Sequence, residues 1–516
     1  MLTLSSLPAD ILIIVLESLG IPELLALSMT CHLMNSIVAE YGWASYLRSN
    51  PRPSCSLSQA RNLWLPRTRA RYDVMTDASW GNMDFIARPL SRIWNGRLQP
   101  ILAISPSRLL VAAGSNLYSY SFGKSDDGSA ASPPISFEGS VSLLLGHQPE
   151  RPRNITALAF VEDRGLDRTL DVAFQDGGIE RVFLHSVADV PDGGTPQLFF
   201  TRNNVTPMPD GDFVESISSE SNIVLALSSN GHARLCAATN LLLSGPSNPH
   251  QHRNSILNLQ ARSWVSYLCL QSSTPYAAFG TSSTTPLNVH SLTDGGILSE
   301  QPTAILHTQK ATLDKLPSSA VYGLARGPLN SPWGASPQIL VSGWYDGQVR
   351  CYDLRASDSR LPARPSLTNN ESGTGTSTSP NPLRPVLSLA DRWSYEPIYS
   401  VACGGGSAAH IAAGTARHSV VSFWDVRSPT TGWSVRAPGN DPSPVYSVIL
   451  ESSRFFGATQ SRPFVYDFGP GVSLDTYPTI PQVRGIDGLK QKKGSHRATY
   501  HVLRYAHNGS GLCNDH

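Results

Sequence analysis

Charge is scarce in this sequence: 15% of its 516 residues are Asp, Glu, Lys or Arg, and the formal net charge is +1. No global field draws the chain to nucleic acid or to an anionic membrane, and neither is expected as a partner. Cysteine is thin as well. Cys31, Cys55, Cys236, Cys269, Cys351, Cys403 and Cys513 are dispersed with no Cys-x-x-Cys pair, which argues against a disulfide framework or a zinc site and predicts reduced thiols in a cytoplasmic or nuclear protein. A run of about 18 apolar residues is missing, so no membrane span is expected. The apolar run at 11–16 is bounded by Asp10 and Glu17 and has no Lys or Arg before it, unlike a secretory signal. The sequons at Asn154 and Asn204 are therefore expected to stay bare. The glycine-rich phosphate cradle, the His-Glu-x-x-His pair and the Gly-x-Ser-x-Gly elbow are all absent. The nearest approach, Gly405-Gly406-Ser407-Ala408-Ala409, lacks the closing glycine and reads as a turn. His410 and His418 read as structural or exposed rather than as ligands. Nothing has the mutual constellation that chemistry requires, so no enzyme, metal or cofactor is expected.

What the sequence does have is turn formers, 41 Gly and 39 Pro, against a hydrophobic content of 40%. That balance favours many short strands over long solvated helices. The first fifty residues differ. Leu7-Pro8 opens a helix with apolar residues at Ile11, Leu12, Val15, Leu16 and Leu19, the i, i+3, i+4 spacing of one buried face. Gly20 is expected as its C-cap, and Pro22 opens a second helix carrying Leu24, Leu25, Leu27 and Met29. A third apolar set follows (Leu33, Met34, Ile37, Val38), then Trp43, Tyr46 and Leu47. About 45 residues is near the size at which a lone core is marginal, so these helices need either the rest of the chain or a partner to cover them. Residues 49–97 read as a connector, with a short helix before Pro66 and a solvated basic burst at Arg67, Arg69 and Arg71.

From about residue 98 to 470 a unit of short strands recurs. Copies begin near Leu98, Ile155, Phe213, Trp264, Val321, Ile398 and Val445. Seven copies at roughly fifty-residue spacing predict a radially repeated sheet, because one such sheet cannot bury both faces alone and closing the ring covers them. The ring needs a strand from outside its last unit, supplied by 85–94 or by 500–505, with the N-terminal source favoured. Segments near 124–140 and 241–254 and the Ser/Thr/Pro/Asn-rich stretch at about 359–385 read as loops, and 471–516 as a loosely ordered tail.

Two stretches carry a family resemblance. Leu7-Pro8-x-Asp10-Ile11-Leu12-x-x-Val15-Leu16-x-x-Leu19, then Leu24-x-x-Leu27-Ser28-x-Thr30-Cys31 and a late Trp43, resemble the F-box, with His32, Leu33 and Met34 departing from the family pattern in the third helix. The resemblance implies binding of a Skp-type adaptor and through it a cullin, with Leu7, Pro8, Ile11, Leu12, Leu16, Leu19, Leu24 and Leu27 facing either the adaptor or the module's own core. Gly343-Trp344-Tyr345-Asp346-Gly347 through Tyr352-Asp353, and Ser422-Phe423-Trp424-Asp425, resemble WD repeats. In that family Asp346, Tyr352, Asp353, Trp424 and Asp425 would be structural, the aspartates fixing turns. The family's Gly-His pair is largely absent, Gly146-His147 being a candidate for it at a long spacing before Ile155. Together these point to the F-box/WD-repeat proteins and, within them, the dactylin-like branch. The implied fold is mainly β, a seven-bladed WD-repeat β-propeller preceded by a small all-α F-box module (residues 1–48).

The function so implied is a substrate-recognition adaptor of a Skp–cullin–F-box ubiquitin ligase, with the propeller holding a protein target. Two alternatives stand beside it. Tyr352-Asp353-Leu354-Arg355 and Trp424-Asp425-Val426-Arg427 are similar to the aromatic-Asp-x-Arg signature of cullin-4 receptors, with Arg355 and Arg427 as contacts. The other alternative is a propeller scaffold outside ubiquitination. Phosphate-reading members of the class line one face with arginines, for which Arg181, Arg234, Arg350 and Arg355 are the candidates.

Overall fold

The computed structural model describes residues 7–123, 130–144, 153–185, 198–205, 208, 211–221, 223–237, 255–293, 296–308, 318–358, 381–439, 442–478, 480 and 504–507. The inserts at 241–254, most of 359–385 and Gly146-His147 lie outside them.

The chain begins with helices: α1 (Ala9–Glu17), α2 (Ile21–Ser28) and α3 (His32–Ile37), which continues through a π turn (Val38–Gly42) into α4 (Trp43–Ser49), then α5 (Ser58–Leu63) and α6 (Pro66–Gly81). Pro8 is the N-cap of α1 rather than its first residue, and Ser18, not Gly20, closes it. Gly20 instead caps the start of α2. The connector is more ordered than its composition suggests. The helix α6 starts at Pro66, where a missing N–H costs nothing, and absorbs Arg67, Arg69 and Arg71. It has no regular apolar stripe. It buries Ala70, Tyr72, Asp73, Thr76 and Trp80, a mixed set held by hydrogen bonds, and a hydrophobic-period search passes over it.

Behind the helices the described residues form strands, with short 3-10 turns at Leu354–Asp358 and Leu474–Thr476. Five sheets stand alone. One comprises Ile101–Ile104, Arg108–Ala113, Asn116–Phe122 and Ile135–Ser142; the second Ile155–Phe160, Thr169–Phe174, Ile179–Leu184 and Phe200–Val205; the third Val214–Glu220, Ile223–Ser228, His232–Ala237 and Ser255–Asn258. The fourth comprises Ile398–Gly404, His410–Thr415, Val420–Asp425 and Gly432–Arg436, with Arg504–His507 added outside. The fifth, Val445–Leu450, Arg454–Thr459 and Pro463–Asp467, takes its outermost strand from Ile86–Pro89, antiparallel to Pro463–Asp467. A chain segment before the first unit thus latches the last one.

The remaining strands form one nine-stranded sheet, and here the expectation of seven separate blades is corrected to five free-standing ones. The larger sheet holds two meanders. Arg262–Cys269 to Ala304–Leu306 is the first, with Asn381–Leu383 alongside, and Ser319–Arg326 to Leu387–Ala390 is the second. They join because Tyr276–Ser283 outruns its own meander, so that Ser282 and Ser283 pair with Ala320 and Ser319. A second correction concerns 124–140, read above as a loop: it carries the beginning of Ile135–Ser142, which pairs with Asn116–Phe122.

The sheets are arranged as a propeller. The innermost strands pack in succession, Ile101–Ile104 on Ile155–Phe160, then Val214–Glu220, Arg262–Cys269, Ser319–Arg326, Ile398–Gly404 and Val445–Leu450, which returns to Ile101–Ile104. These strands present a polar edge to one another, and serine side chains satisfy it. Ser216 Oγ accepts from the Ser266 amide (3.1 Å), Ser218 Oγ from the Leu268 amide (2.9 Å), and Ser447 Oγ from the Leu102 amide (3.1 Å). Between blades the packing is tight: a Cβ at Gly343 would lie 2.6 Å from Ile398 Cγ2.

The helices are fastened to one face of this wheel. Trp80 stacks on Phe468 at 3.7 Å and its Nε1 donates to the Ser452 carbonyl at 2.9 Å. The turn at Gly405-Gly406 lies against the Trp80 ring, its two glycines at φ +65° and +48°. The Tyr72 hydroxyl donates to Ser453 Oγ at 3.0 Å. Nearby, the fully buried pair Arg454–Asp467 (3.1 Å) anchors the last blade, with Arg454 also donating to the Pro133 carbonyl. Arg454→Met would leave Asp467 buried without its cation. It is expected to cost about 3–5 kcal/mol, measured as a fall in the urea unfolding midpoint; a shift equivalent to under about 1 kcal/mol would contradict this account of the anchor.

Candidate functional site

Two surfaces present themselves, on opposite faces of the wheel. The first is the helical module. Its core is Leu16, Leu24, Val38, Trp43 and Ala70, with Leu12 and Met34 also buried. Leu12 and Leu16 are one turn apart and fill the inner face of α1, but Ile11, Ile14 and Val15 repeat the same spacing on a face left in solvent. Leu25 of α2, Met29 after it and Leu33 of α3 are exposed as well, with Ile14 62% and Met29 78% exposed. A helix with apolar residues on two sides in a folded chain has one side too many for its own core, and exposed apolar surface on the second side points to a protein contact. The eight residues Leu7, Pro8, Ile11, Leu12, Leu16, Leu19, Leu24 and Leu27 therefore divide. Leu12, Leu16 and Leu24 belong to the core, one of the two places the sequence left open for them; Leu7, Leu19 and Leu27 are half-buried, and Pro8 and Ile11 are exposed. Ile14, Leu25, Met29 and Leu33 were missing from that set.

The second surface is the mouth of the propeller axis. In six innermost strands the pairing skips one residue near the strand's start: Thr156, Glu215, Trp264, Tyr322, Tyr399 and Tyr446. A bulge of this kind re-aims the side chain it skips, and four successive ones are aromatic. Trp264 meets Tyr322 at 5.0 Å, Tyr322 meets Tyr399 at 5.2 Å, and Tyr399 meets Tyr446 at 5.9 Å, the first two contacts edge-to-face. Tyr345, from the adjoining turn, stands 6.4 Å from Tyr322. Thr156, Glu215, Trp264 and Tyr446, with Arg97 and Arg262, line a cavity of about 520 Å³. Arg262 lies 4.2 Å over the Trp264 ring and pairs with Glu215 at 2.9 Å. Burial pushes the phenols of Tyr322 and Tyr399 above their ordinary range, with neighbouring tyrosines adding to the shift, so both remain neutral donors. The sequence held a signal for this row: the hydrophobic-Tyr-small triplet recurs as Val321-Tyr322-Gly323, Ile398-Tyr399-Ser400 and Val445-Tyr446-Ser447.

The two surfaces are set apart by strand length. Tyr446 stands near the start of Val445–Leu450, and Glu451, directly after its end, contacts the helical connector. A strand of that length rises roughly 20 Å.

The residues of the WD-like motifs hold turns. Asp346 accepts from the Gln348 amide (3.2 Å) and from both terminal nitrogens of Arg350, next to Gly347 at φ +80°. Tyr352 and Trp424 are buried, and the Tyr352 hydroxyl donates to the His307 carbonyl at 3.0 Å. Asp353 accepts from the amide and guanidinium of Arg355, and Asp425 does the same for Arg427. The Arg355 bonds are the largest cause holding Asp353 below the usual carboxylate range; for Asp425 burial opposes ionisation, and the Arg427 bonds outweigh it. His410 stacks on Trp80 at 4.5 Å, its basicity lowered by burial, and His418 pairs with Glu396.

The candidate phosphate-reading arginines do not converge. Arg181 pairs with Asp171 at 2.9 Å and Arg350 with Asp346 at 2.6 Å, Arg234 is buried, and Arg355 is turned onto Asp353. Each cation serves its own blade.

The F-box domain model matches residues 4–41, so the helical module is an F-box domain, a kind of domain that binds Skp-type adaptors of cullin ligases. No curated protein matches the chain.

The division between core and contact is testable on the free protein. Leu24→Ala should destabilise the helical module by about 2–5 kcal/mol, while Ile14→Ala and Met29→Ala should change stability by less than about 0.5 kcal/mol. Thermal and urea unfolding read both; comparable losses at Leu24 and Ile14 would contradict the assignment.

Proposed function

We propose that this chain is the substrate-recognition adaptor of a Skp–cullin–F-box ubiquitin ligase, its F-box docking on the Skp-type adaptor and its propeller holding a protein target. The observation that carries the reading is the second apolar face of α1 and α2, led by Ile14 and Met29 and left uncovered by the chain's own core. The reading assigns the chain no chemistry of its own. Its contribution is proximity: a target held near a charged conjugating enzyme reacts in a nearly unimolecular step. A rigid wheel with the F-box on one face and the axial mouth on the other suits that task. Within the reading we place the propeller among the WD-repeat type and the protein in the cytoplasm or nucleus. The Asp346, Asp353 and Asp425 turns support the repeat type, and the net charge of +1 supports a protein rather than a nucleic acid as target.

The cullin-4 alternative is less favoured by the geometry. Arg355 and Arg427 are each held by a neighbouring aspartate, and Arg427 also feels Asp77 of α6 and Arg52 of the segment before it, so it sits beside the helical module.

Capture experiments distinguish the readings. Ile14→Ser with Met29→Ser should reduce capture of a purified Skp-type adaptor at least tenfold with the melting temperature unchanged. Arg355→Ala with Arg427→Ala should leave that capture intact. Full capture by the first variant, or binding to a cullin-4 adaptor lost with the second, would overturn the proposal.

A further inference from the structure

The axial mouth points to the kind of target the propeller takes. Its rings pack on one another at 5.0 to 5.9 Å. That leaves no room between neighbours for a cation, so the row is a ledge and not a cage of the sort that encloses an ammonium group. Edge-to-face alternation gives the ledge ridges and shallow slots. Trp264 and Tyr399, two steps apart along the row, are separated by at most about 10 Å, close to the roughly 9 Å rise of one turn of polyproline II helix. The hydroxyls of Tyr322, Tyr345 and Tyr399 have no hydrogen-bond partner among the described residues, whereas Tyr446 accepts from Gln460 at 3.0 Å. An aromatic row carrying free donors is what a polyproline II segment requires, since its prolines have no N–H and its carbonyls are all unpaired.

Charge supports the same occupant. The acids around the ledge are engaged within the chain: Glu215 pairs with Arg262 and Asp346 with Arg350, and Glu396 is hydrogen-bonded to the Arg417 amide and the His418 ring. The guanidinium of Arg262 is correspondingly spent. Arg97 alone among the cavity-lining cations has no ion pair among the described residues, and it is exposed at the rim. A phosphate group would need several converging free cations; the described residues offer Arg97 in the cavity lining and Arg417 near Tyr399, and the aromatic shelf itself is neutral.

We propose that the Trp264–Tyr322–Tyr399–Tyr446 ledge, with Tyr345 as its side wall and Arg97 at its rim, binds an unphosphorylated, proline-rich extended segment of a target protein that ends in an acidic residue. This rests on the substrate-adaptor reading above and names the class of substrate for it.

The test uses the full chain and three fluorescein-labelled probes in polarisation: decaproline ending in glutamate, a Gly-Ser decapeptide ending in glutamate, and a Gly-Ser decapeptide carrying phosphoserine. The decaproline probe should bind and the other two should be at least tenfold weaker. Tyr322→Ala with Tyr399→Ala should weaken decaproline binding at least tenfold. Tyr322→Phe with Tyr399→Phe keeps the rings and the packing, and should weaken it several-fold through the lost donors, with an unchanged melting temperature. Arg97→Ala should weaken the decaproline probe and leave unchanged the binding of a fourth probe, decaproline without the terminal glutamate. No binding of decaproline, a preference for phosphoserine, or indifference to both tyrosine pairs would overturn the proposal. Adaptor capture measured on the same samples separates the two readings. Capture without peptide binding rejects the ledge alone, and peptide binding without capture rejects the ligase role.

Discussion

One buried carboxylate joins the two halves of this molecule. Glu451, at the end of the last blade's innermost strand, accepts hydrogen bonds from the amides of Cys55 and Ser56 and from the hydroxyls of Ser54 and Ser56. Burial pushes its carboxyl above the usual range, and the Ser56 and Cys55 bonds, with Arg454 nearby, pull the other way. Around it, Arg52 pairs with Asp77 at 2.5 Å, Arg61 with Asp73 at 2.5 Å, and Trp80 enters the turn at Gly405-Gly406. Removing such a carboxylate would orphan several buried donors at once. The segment between F-box and propeller is therefore a weld and not a hinge, and the function proposed for the chain depends on this.

A weld fixes geometry. The closing strand Ile86–Pro89 follows directly from α6 and completes the last blade, so the helices are tied to the sheet both by side-chain contacts and by the chain's own path. With the F-box on one face and the aromatic mouth on the other, a target bound at the mouth is held at a set distance from whatever the F-box recruits. Effective concentration is highest when the connection matches the span to be bridged and falls as it loosens. Rigidity at the joint is then part of the mechanism rather than incidental stability.

Much of this was legible in the sequence, and for identifiable reasons. The helical module showed itself through the i, i+4 spacing of Leu12 and Leu16, and the strand units through their regular recurrence. What spacing could not do was tell the two apolar faces of α1 apart, because Ile11 and Val15 repeat the same interval as Leu12 and Leu16. The helix α6 escaped notice because it is held by Asp73, Thr76, Tyr72 and Trp80 rather than by an aliphatic stripe. The number of free-standing sheets depended on two residues, Ser282 and Ser283, pairing beyond their own meander, a matter of register that composition does not record. The mouth was the largest omission. Its tyrosines are written three times in the sequence, but their convergence depends on the ring closing and on bulges that turn each side chain toward the axis.

The central claim is that F-box and propeller move as one body. Spin labels placed at Arg48, in the last turn of α4, and Tyr395, both exposed, would measure it by pulsed electron–electron resonance on a background in which other reactive cysteines are replaced. The account predicts one narrow distance distribution, unchanged when a Skp-type adaptor is added. A broad or two-peaked distribution in the free protein would contradict it.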